Sequence, residues 1–376
     1  MKIKLIPEGF AFLLLLLLSA ACEGEPNTEE TQEAAKDWTL LPFEKVDSLN
    51  PVMTPDPSLT FACPLQRQTL RWAVKDVFNP ATVVRGDTLL MIFRAEDSIG
   101  RYNGTSRLGL AMSFDGLHFE KFPEPVFFPE EDSMKVYEWE GGNEDPRIVE
   151  SEDGRYIMTY TAYDGETARL CVAASRDLRN WDKHGLAFGE GKYRDLWSKS
   201  GSIVSRRQGN RLVAERIDGQ YWMYWGDKNI HLATSDDLLN WTPLTADDSL
   251  MVVMPYRPGY FDSDLVEPGP PALLTDQGIL LIYNGRNYGP ERNPDIPEGT
   301  YSAGQALFDA ANPQQLLKRT DEPFFRPEAD YEIAGQVNRV VFLEGLAPFR
   351  DKWFLYYGTA DSKIAVAVKS EIGNLR

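Results

Sequence analysis

The chain is poor in the residues that most often announce a mechanism. Its 376 residues include three cysteines and three histidines. No CxxC pair or Cys/His cluster occurs, which argues against a zinc or iron–sulfur site and against a dense disulfide framework. Neither a metal nor a cofactor is expected. The G-x-S-x-G elbow of serine hydrolases and the phosphate-cradling G-x-x-x-x-G-K-[ST] loop are both absent. Positive charge is also scarce: 39 Lys and Arg against 57 Asp and Glu give a net charge of −18. That balance disfavours a nucleic-acid partner and a surface drawn to anionic lipid, and it is compatible with a neutral sugar. Long helical periodicity is missing. What is plentiful is apolar (43%) and aromatic (12%) content, enough for a large core, with 29 glycines and 25 prolines to punctuate turns.

The one long apolar run is at the N-terminus. Lys2 and Lys4 precede an apolar stretch from Phe10 to Leu18 that is too short to span a bilayer, and Ser19-Ala20-Ala21-Cys22 follows. The pattern resembles the lipobox of bacterial lipoproteins. Residues 1–21 are therefore expected to be a signal peptide, with Cys22 lipidated and the protein extracytoplasmic, meeting membrane only through its anchor. An ordinary cleaved secretory signal is the alternative. Residues 22–40 read as an acidic tether without large apolar groups, apart from the final few. Cys63 and Cys171 then remain, either as one disulfide or as two buried thiols.

From residue 41 to 376 one phrase recurs. A strand ends on an aromatic residue, and Asp or Asn follows four residues later. The copies are MIFRAED (Phe93), MTYTAYD (Tyr160), MYWGDKN (Trp225), LIYNGRN (Tyr283) and LYYGTAD (Tyr357). A Ser-x-Asp phrase follows the first three, at Ser113, Ser175 and Ser235. Units of about four short strands cannot bury their faces alone; repeated about an axis, they bury each sheet against the next. The expected fold is all-β, a single five-bladed β-propeller, with a pair of β-sandwiches as the weaker alternative. The aromatic phrases are the candidates for the innermost strands. Residues just past the aromatics, Arg94, Asp97, Asp164, Asp227, Asn284 and Asp361, are then candidates for one polar funnel.

Two other segments concentrate chemistry. Gly141-Gly142-Asn143-Glu144-Asp145-Pro146-Arg147 places adjacent carboxylates beside proline and a cation, and the proline predicts extended backbone at Asp145. Phe261 to Pro271 offers Asp262, Asp264 and Glu267 before a Gly-Pro-Pro turn. Carboxylates around an aromatic-lined pocket suit glycoside cleavage, in which one acid protonates the leaving oxygen and a second group activates water. A general acid must carry a proton, so a raised pKa would suit it, and Arg147 would oppose that.

Taken together, Asn79-Pro80-Ala81, Phe93-Arg94-Ala95, Glu144-Asp145-Pro146-Arg147, Lys199-Ser200-Gly201, Glu267-Pro268-Gly269-Pro270-Pro271 and Tyr357-Gly358 with Asp361 resemble glycoside hydrolase family 130. The resemblance implies a five-bladed propeller acting on β-mannoside oligosaccharides. It implies Asp145 as general acid, working through a sugar hydroxyl as proton relay. Asn79, Arg94, Lys199 and Asp361 match residues that hold the mannose, and Arg147 matches a basic group beside the acid. The pattern departs from the family's phosphorylases. Their Tyr-His-Gly is here Tyr283-Asn284-Gly285, their Ala-Gly-Pro-Pro-Pro gains a carboxylate at Glu267, and an arginine expected after the second Ser-x-Asp is here Lys183. These changes predict a hydrolase that inverts β-mannosidic bonds, most naturally β-1,2-linked, with Glu267 as base, Asp227 as the other candidate base and Asn284 among the substrate-binding residues. An extracytoplasmic address agrees, since phosphorolysis profits only where the sugar phosphate can be used. A phosphate-dependent β-mannoside phosphorylase and a non-catalytic glycan-binding propeller are the alternatives.

Overall fold

The computed structural model describes residues 38–189 and 191–370. The leader, Cys22 and nearly all of the expected tether lie outside the described residues. At the tether's end, Leu40 is already docked: its amide and carbonyl exchange hydrogen bonds with the Gln305 side chain. Strands dominate, and the two α-helices among the described residues, Lys135–Glu138 and Asp330–Ile333, are single turns. Among the described residues no helix is long and apolar enough to cross a membrane.

Among the described residues the strands form five antiparallel units. The first runs Asp76–Arg85, Thr88–Glu96, Ser106–Ser113 and Glu120–Lys121. The second runs Gly142–Glu150, Tyr156–Tyr163, Ala168–Ser175 and Trp181–Leu186. The third is Ser202–Ile203, Gln220–Trp225, Ile230–Ser235 and Thr242–Pro243. The fourth is Leu265–Pro268 with Leu273–Thr275, then Gly278–Asn287, Thr300–Phe308 and Leu316–Arg319. The fifth is Val341–Phe349, Lys352–Thr359 and Lys363–Lys369, completed by Glu44–Lys45 from the opposite end of the chain.

The Ser-x-Asp phrases are turns joining third to fourth strands. In each, the serine hydroxyl accepts the amide three residues on (Gly116, Leu178, Leu238), and the aspartate caps two further amides. Gly116, Leu178 and Leu238 all hold positive φ, so the three copies share one backbone form although only the first has glycine.

The repeated aromatics lie on the second strand of every unit, not on the innermost strands as expected. Phe93, Tyr160, Trp225, Tyr283 and Tyr357 are all fully buried. Each packs on an aromatic from the segment before its own unit, respectively Trp72, Phe127, Phe188, Phe261 and Phe325. The core therefore sits between sheet faces: one cluster joins the first and fifth units, and others join the first to second, second to third and third to fourth. Where the aromatic is tyrosine, its hydroxyl meets a buried acid held by a cation of the outer strand. The sets are Tyr160–Glu138–Lys183, Tyr283–Asp262–Arg319 and Tyr357–Glu332–Lys45. Burial of a phenol is tolerable when its hydroxyl is partnered in this way. Cys63 and Cys171 are free, buried thiols, which removes the disulfide alternative.

Candidate active site

The first strands of the units pack on one another and carry the chemistry. Two of them are bulged at Asn79-Pro80 and at Asp145-Pro146, where register shifts between Phe78 and Pro80 and between Glu144 and Arg147. Asp145 has φ +48°, in the left-handed region, so the extended backbone expected before proline is not what forms. The bulge overrides that local preference and re-aims the side chain, and Asp and Asn are the residue types that tolerate the conformation best.

A cleft of about 360 Å³ opens above these strands, lined by Asn79, Arg94, Glu96, Asp145, Lys199, Glu267 and Asp361, with Phe78, Tyr301 and Phe342 among its apolar walls. Asp145 is at its centre. Its Oδ1 accepts from Asn79 Nδ2 and Arg94 Nη1, each at 2.9 Å, and its Oδ2 is 3.3 Å from Lys199 Nζ. Burial alone would raise its pKa. Lys199, Arg94 and the Asn79 amide more than offset that, and they hold the carboxyl well below the usual range. Asp145 is thus ionised in the free protein, against the raised pKa that a general acid would want. Arg94 also bridges to Glu96 and Glu144, each at 2.9 Å, and stacks over Phe78.

Glu267 is shifted the other way. Burial pushes it up to about 7, with Asp227 adding to the effect and Lys199, Arg147 and a hydrogen bond from Ser200 opposing it. Asp361 is likewise pushed up to about 7, chiefly by burial. Two carboxyls poised near neutrality therefore share a cleft with one held ionised, an arrangement suited to acid–base chemistry. Gly358 makes room for it: a Cβ there would stand 2.4 Å from Asn79 Oδ1.

Of the sequence-predicted residues, Asn79, Arg94, Asp145, Lys199, Glu267 and Asp361 meet in the cleft. Four others are placed differently. Arg147 lies beneath the cleft, 2% exposed, donating to the carbonyls of Pro268 and Gly269. The side chain of Asn284 is spent on both backbone groups of Leu343. Asp227 stands beside the cleft and accepts from Trp197 Nε1 at 2.6 Å. Lys183 lies in a separate groove of about 800 Å³ between the first two units, near His184 and Trp181, paired with Glu138 and Asp132. Two further expected funnel residues are also elsewhere: Asp97 pairs with Arg107 and Asp164 with Arg169, and each caps nearby amides. Sequence reasoning missed Glu96, Tyr301 and Glu344. Glu96 stands two residues after Arg94 and one before the end of the repeated phrase, so it was within reach. Glu344 carried no signal.

Comparison with known proteins gives the chain its relatives. Residues 48–375 match the profile of glycoside hydrolase family 130, described as beta-1,4-mannooligosaccharide phosphorylase. A 1,2-beta-oligomannan phosphorylase from Thermoanaerobacter sp. (strain X514) is 32% identical over 79% of this chain and 90% of its own length. A beta-1,2-mannobiose phosphorylase from the same organism is 31% identical over 79% and 91%. Among solved structures, a putative glycoside hydrolase from Bacteroides ovatus is 45% identical with a TM-score of 0.86, covering 90% of this chain and 99% of that one. Another, also 45% identical with a TM-score of 0.86 and covering 88% and 94%, is described in these words: "The GH130 family of mannoside phosphorylases contains glycoside hydrolases that target beta-1,2 mannosidic linkages in Candida mannan". On the length of the profile match and the depth of these similarities, the chain belongs to glycoside hydrolase family 130.

Proposed function

We propose that this protein is a hydrolase of β-mannosidic linkages, β-1,2-linked chains foremost, working with inversion. The single observation that carries the reading is Glu267: a buried carboxyl with a pKa of about 7 opening on the cleft that holds Asp145. Its ionised form can accept a proton from water at neutral pH, and a phosphate dianion beside it would be repelled. Both cations lining the cleft, Arg94 and Lys199, are already committed to carboxylates. Asp145 is the acid. It takes a proton from solvent when bound sugar hydroxyls weaken the hold of Lys199 and Arg94 on it, and it passes that proton to a hydroxyl of the sugar, which gives its own proton to the leaving oxygen. Inversion needs room for water between acid and base, typically about 6.5–9.5 Å between carboxyls, and a hydroxyl relay can stretch that distance.

The 45% identity to a structure described in terms of hydrolases supports the same reading. Phosphorolysis is the second reading, and the names of the curated relatives favour it: all four, at 24–32% identity, are phosphorylases. Incubation with β-1,2-mannobiose in phosphate-free buffer separates the two. Release of mannose as the α-anomer, followed by NMR, is the expected result. No turnover until phosphate is added, with mannose 1-phosphate as product, would establish phosphorolysis, and initial β-mannose would exclude inversion.

As part of the same proposal, the five units close into a propeller and the chain is exported and anchored through lipidated Cys22. The pairing of Glu44–Lys45 with the final strand and the core shared by the first and fifth units support closure. The leader sequence supports the anchor. Natively expressed protein found wholly in a soluble fraction would remove the anchor.

A further inference from the structure

Glu344 is a buried acid that the chemistry above does not use. It sits on the first strand of the fifth unit, at the bulge between Leu343 and Gly345, and is 0% exposed. Neither carboxyl oxygen has a hydrogen-bond partner, and the Arg147 guanidinium stands 3.0 Å away. Burying such a carboxylate is costly, and an aliphatic side chain of similar volume would spare that cost. Burial pushes its pKa well up, while Arg147 pulls it down.

Arg147 shows what the acid accomplishes. Its Nη1 donates to the carbonyl of Asp145 at 3.3 Å, its Nη2 to that of Pro268 at 2.8 Å and its Nε to that of Gly269 at 2.7 Å. One guanidinium thereby ties the strand bearing Asp145 to the strand bearing Glu267. Glu344 stands against that guanidinium from a third unit, and its neighbour Leu343 is pinned through both backbone groups by Asn284 of the fourth. A planar fork fits this task better than a point charge.

We propose that Glu344 is a positioning residue: through Arg147 it fixes the strands that carry Asp145 and Glu267, and so the separation of the two carboxyls across the cleft. The inference rests on the acid and base roles proposed for that pair. Small misplacements of reacting groups can lower rates by about 10²-fold, so the effect belongs in kcat.

The test is kcat and KM on β-1,2-mannobiose for Glu344→Leu, Glu344→Gln and Arg147→Lys, each normalised to folded protein. The expected result is a fall in kcat of about 10²-fold for Glu344→Leu with KM within about threefold of wild type. Glu344→Gln keeps an acceptor oxygen and should recover at least tenfold of that loss. If Glu344→Leu does not fold, Glu344→Gln and Arg147→Lys carry the test, with Arg147→Lys losing about tenfold in kcat at unchanged KM. The proposal is overturned if the Leu variant retains kcat within about threefold, if the loss lies in KM alone, or if Gln is as impaired as Leu. Failure of the underlying roles looks different: Asp145→Asn and Glu267→Gln would then turn over normally.

Discussion

The Asn79 side-chain amide donates to Asp145 Oδ1 at 2.9 Å, and both residues hold φ of +48° immediately before a proline. Two bulged first strands thus present a matched donor and acceptor, each in a conformation that few residue types accept. Asp145→Asn keeps both the shape and the tolerance for that backbone. It should fold normally and lose about 10²–10⁴-fold in kcat. Thermal melting alongside steady-state kinetics checks both halves, and near-normal turnover ends the assignment of Asp145 as acid.

Trp197 is 47% exposed, yet its indole N–H is fixed on Asp227 at 2.6 Å. Its ring meets Tyr163 at 6.5 Å, and Tyr163 meets Tyr102 at 6.4 Å, forming an aromatic row that approaches Glu144. The row is expected to contact the part of the substrate that extends beyond the cleft. Trp197→Ala should raise KM for mannobiose and longer chains by about tenfold, with kcat changing less, because the interaction lost is made equally in ground and transition states. Asp227→Asn should cost less than about tenfold in kcat; a loss of about 10²-fold or more would make Asp227 the base.

The sequence disclosed the number of units because each repeats an aromatic on a strand of period two. It did not disclose which strand that was. The partner aromatics Trp72, Phe127, Phe188, Phe261 and Phe325 sit at irregular distances in the preceding connections, so the layer they build is invisible in a repeat. For the site, Asp145, Arg94, Lys199 and Glu267 were legible through their motifs. Asn284 and Arg147 were legible as motif members but not in their placement, since only the folded chain shows that backbone groups claim them. Glu344 lies in an apolar run with nothing to mark it. Its importance comes from Arg147, nearly two hundred residues earlier, and periodicity cannot report such a contact.

The tyrosine–acid–cation sets predict a stability effect away from the cleft. Tyr357→Phe removes the hydroxyl that meets Glu332 Oε1 at 2.8 Å and leaves that oxygen buried. The cost should be about 1–3 kcal/mol in denaturant unfolding, with m unchanged. A change below ~0.5 kcal/mol would mean that Lys45, 2.8 Å from the other Glu332 oxygen, suffices alone.

The raised carboxyls tie activity and stability to pH in opposite senses. Glu267 titrates near 7 rather than the usual 4.5, and Asp361 near 7 rather than 3.8. As the proposed base, Glu267 must be ionised, so kcat/KM should fall as pH drops below about 7. Stability runs the other way. Between the unfolded and folded values of these groups the native chain holds protons that the unfolded chain has released. Their contribution is therefore complete below the unfolded values and is lost as pH rises through about 7. Asp145, whose pKa is depressed, contributes above its usual 3.8 and loses that only in stronger acid, so it leaves this window flat. Glu267→Gln removes a carboxylate that is unfavourably ionised at high pH. It should abolish turnover yet raise unfolding free energy at pH 8 by up to ~3 kcal/mol, with little gain at pH 5. Denaturant titrations at the two pH values read the difference directly. An equal gain at both would show that Glu267 does not titrate between them, and the acidic limb of kcat/KM would then belong to another group.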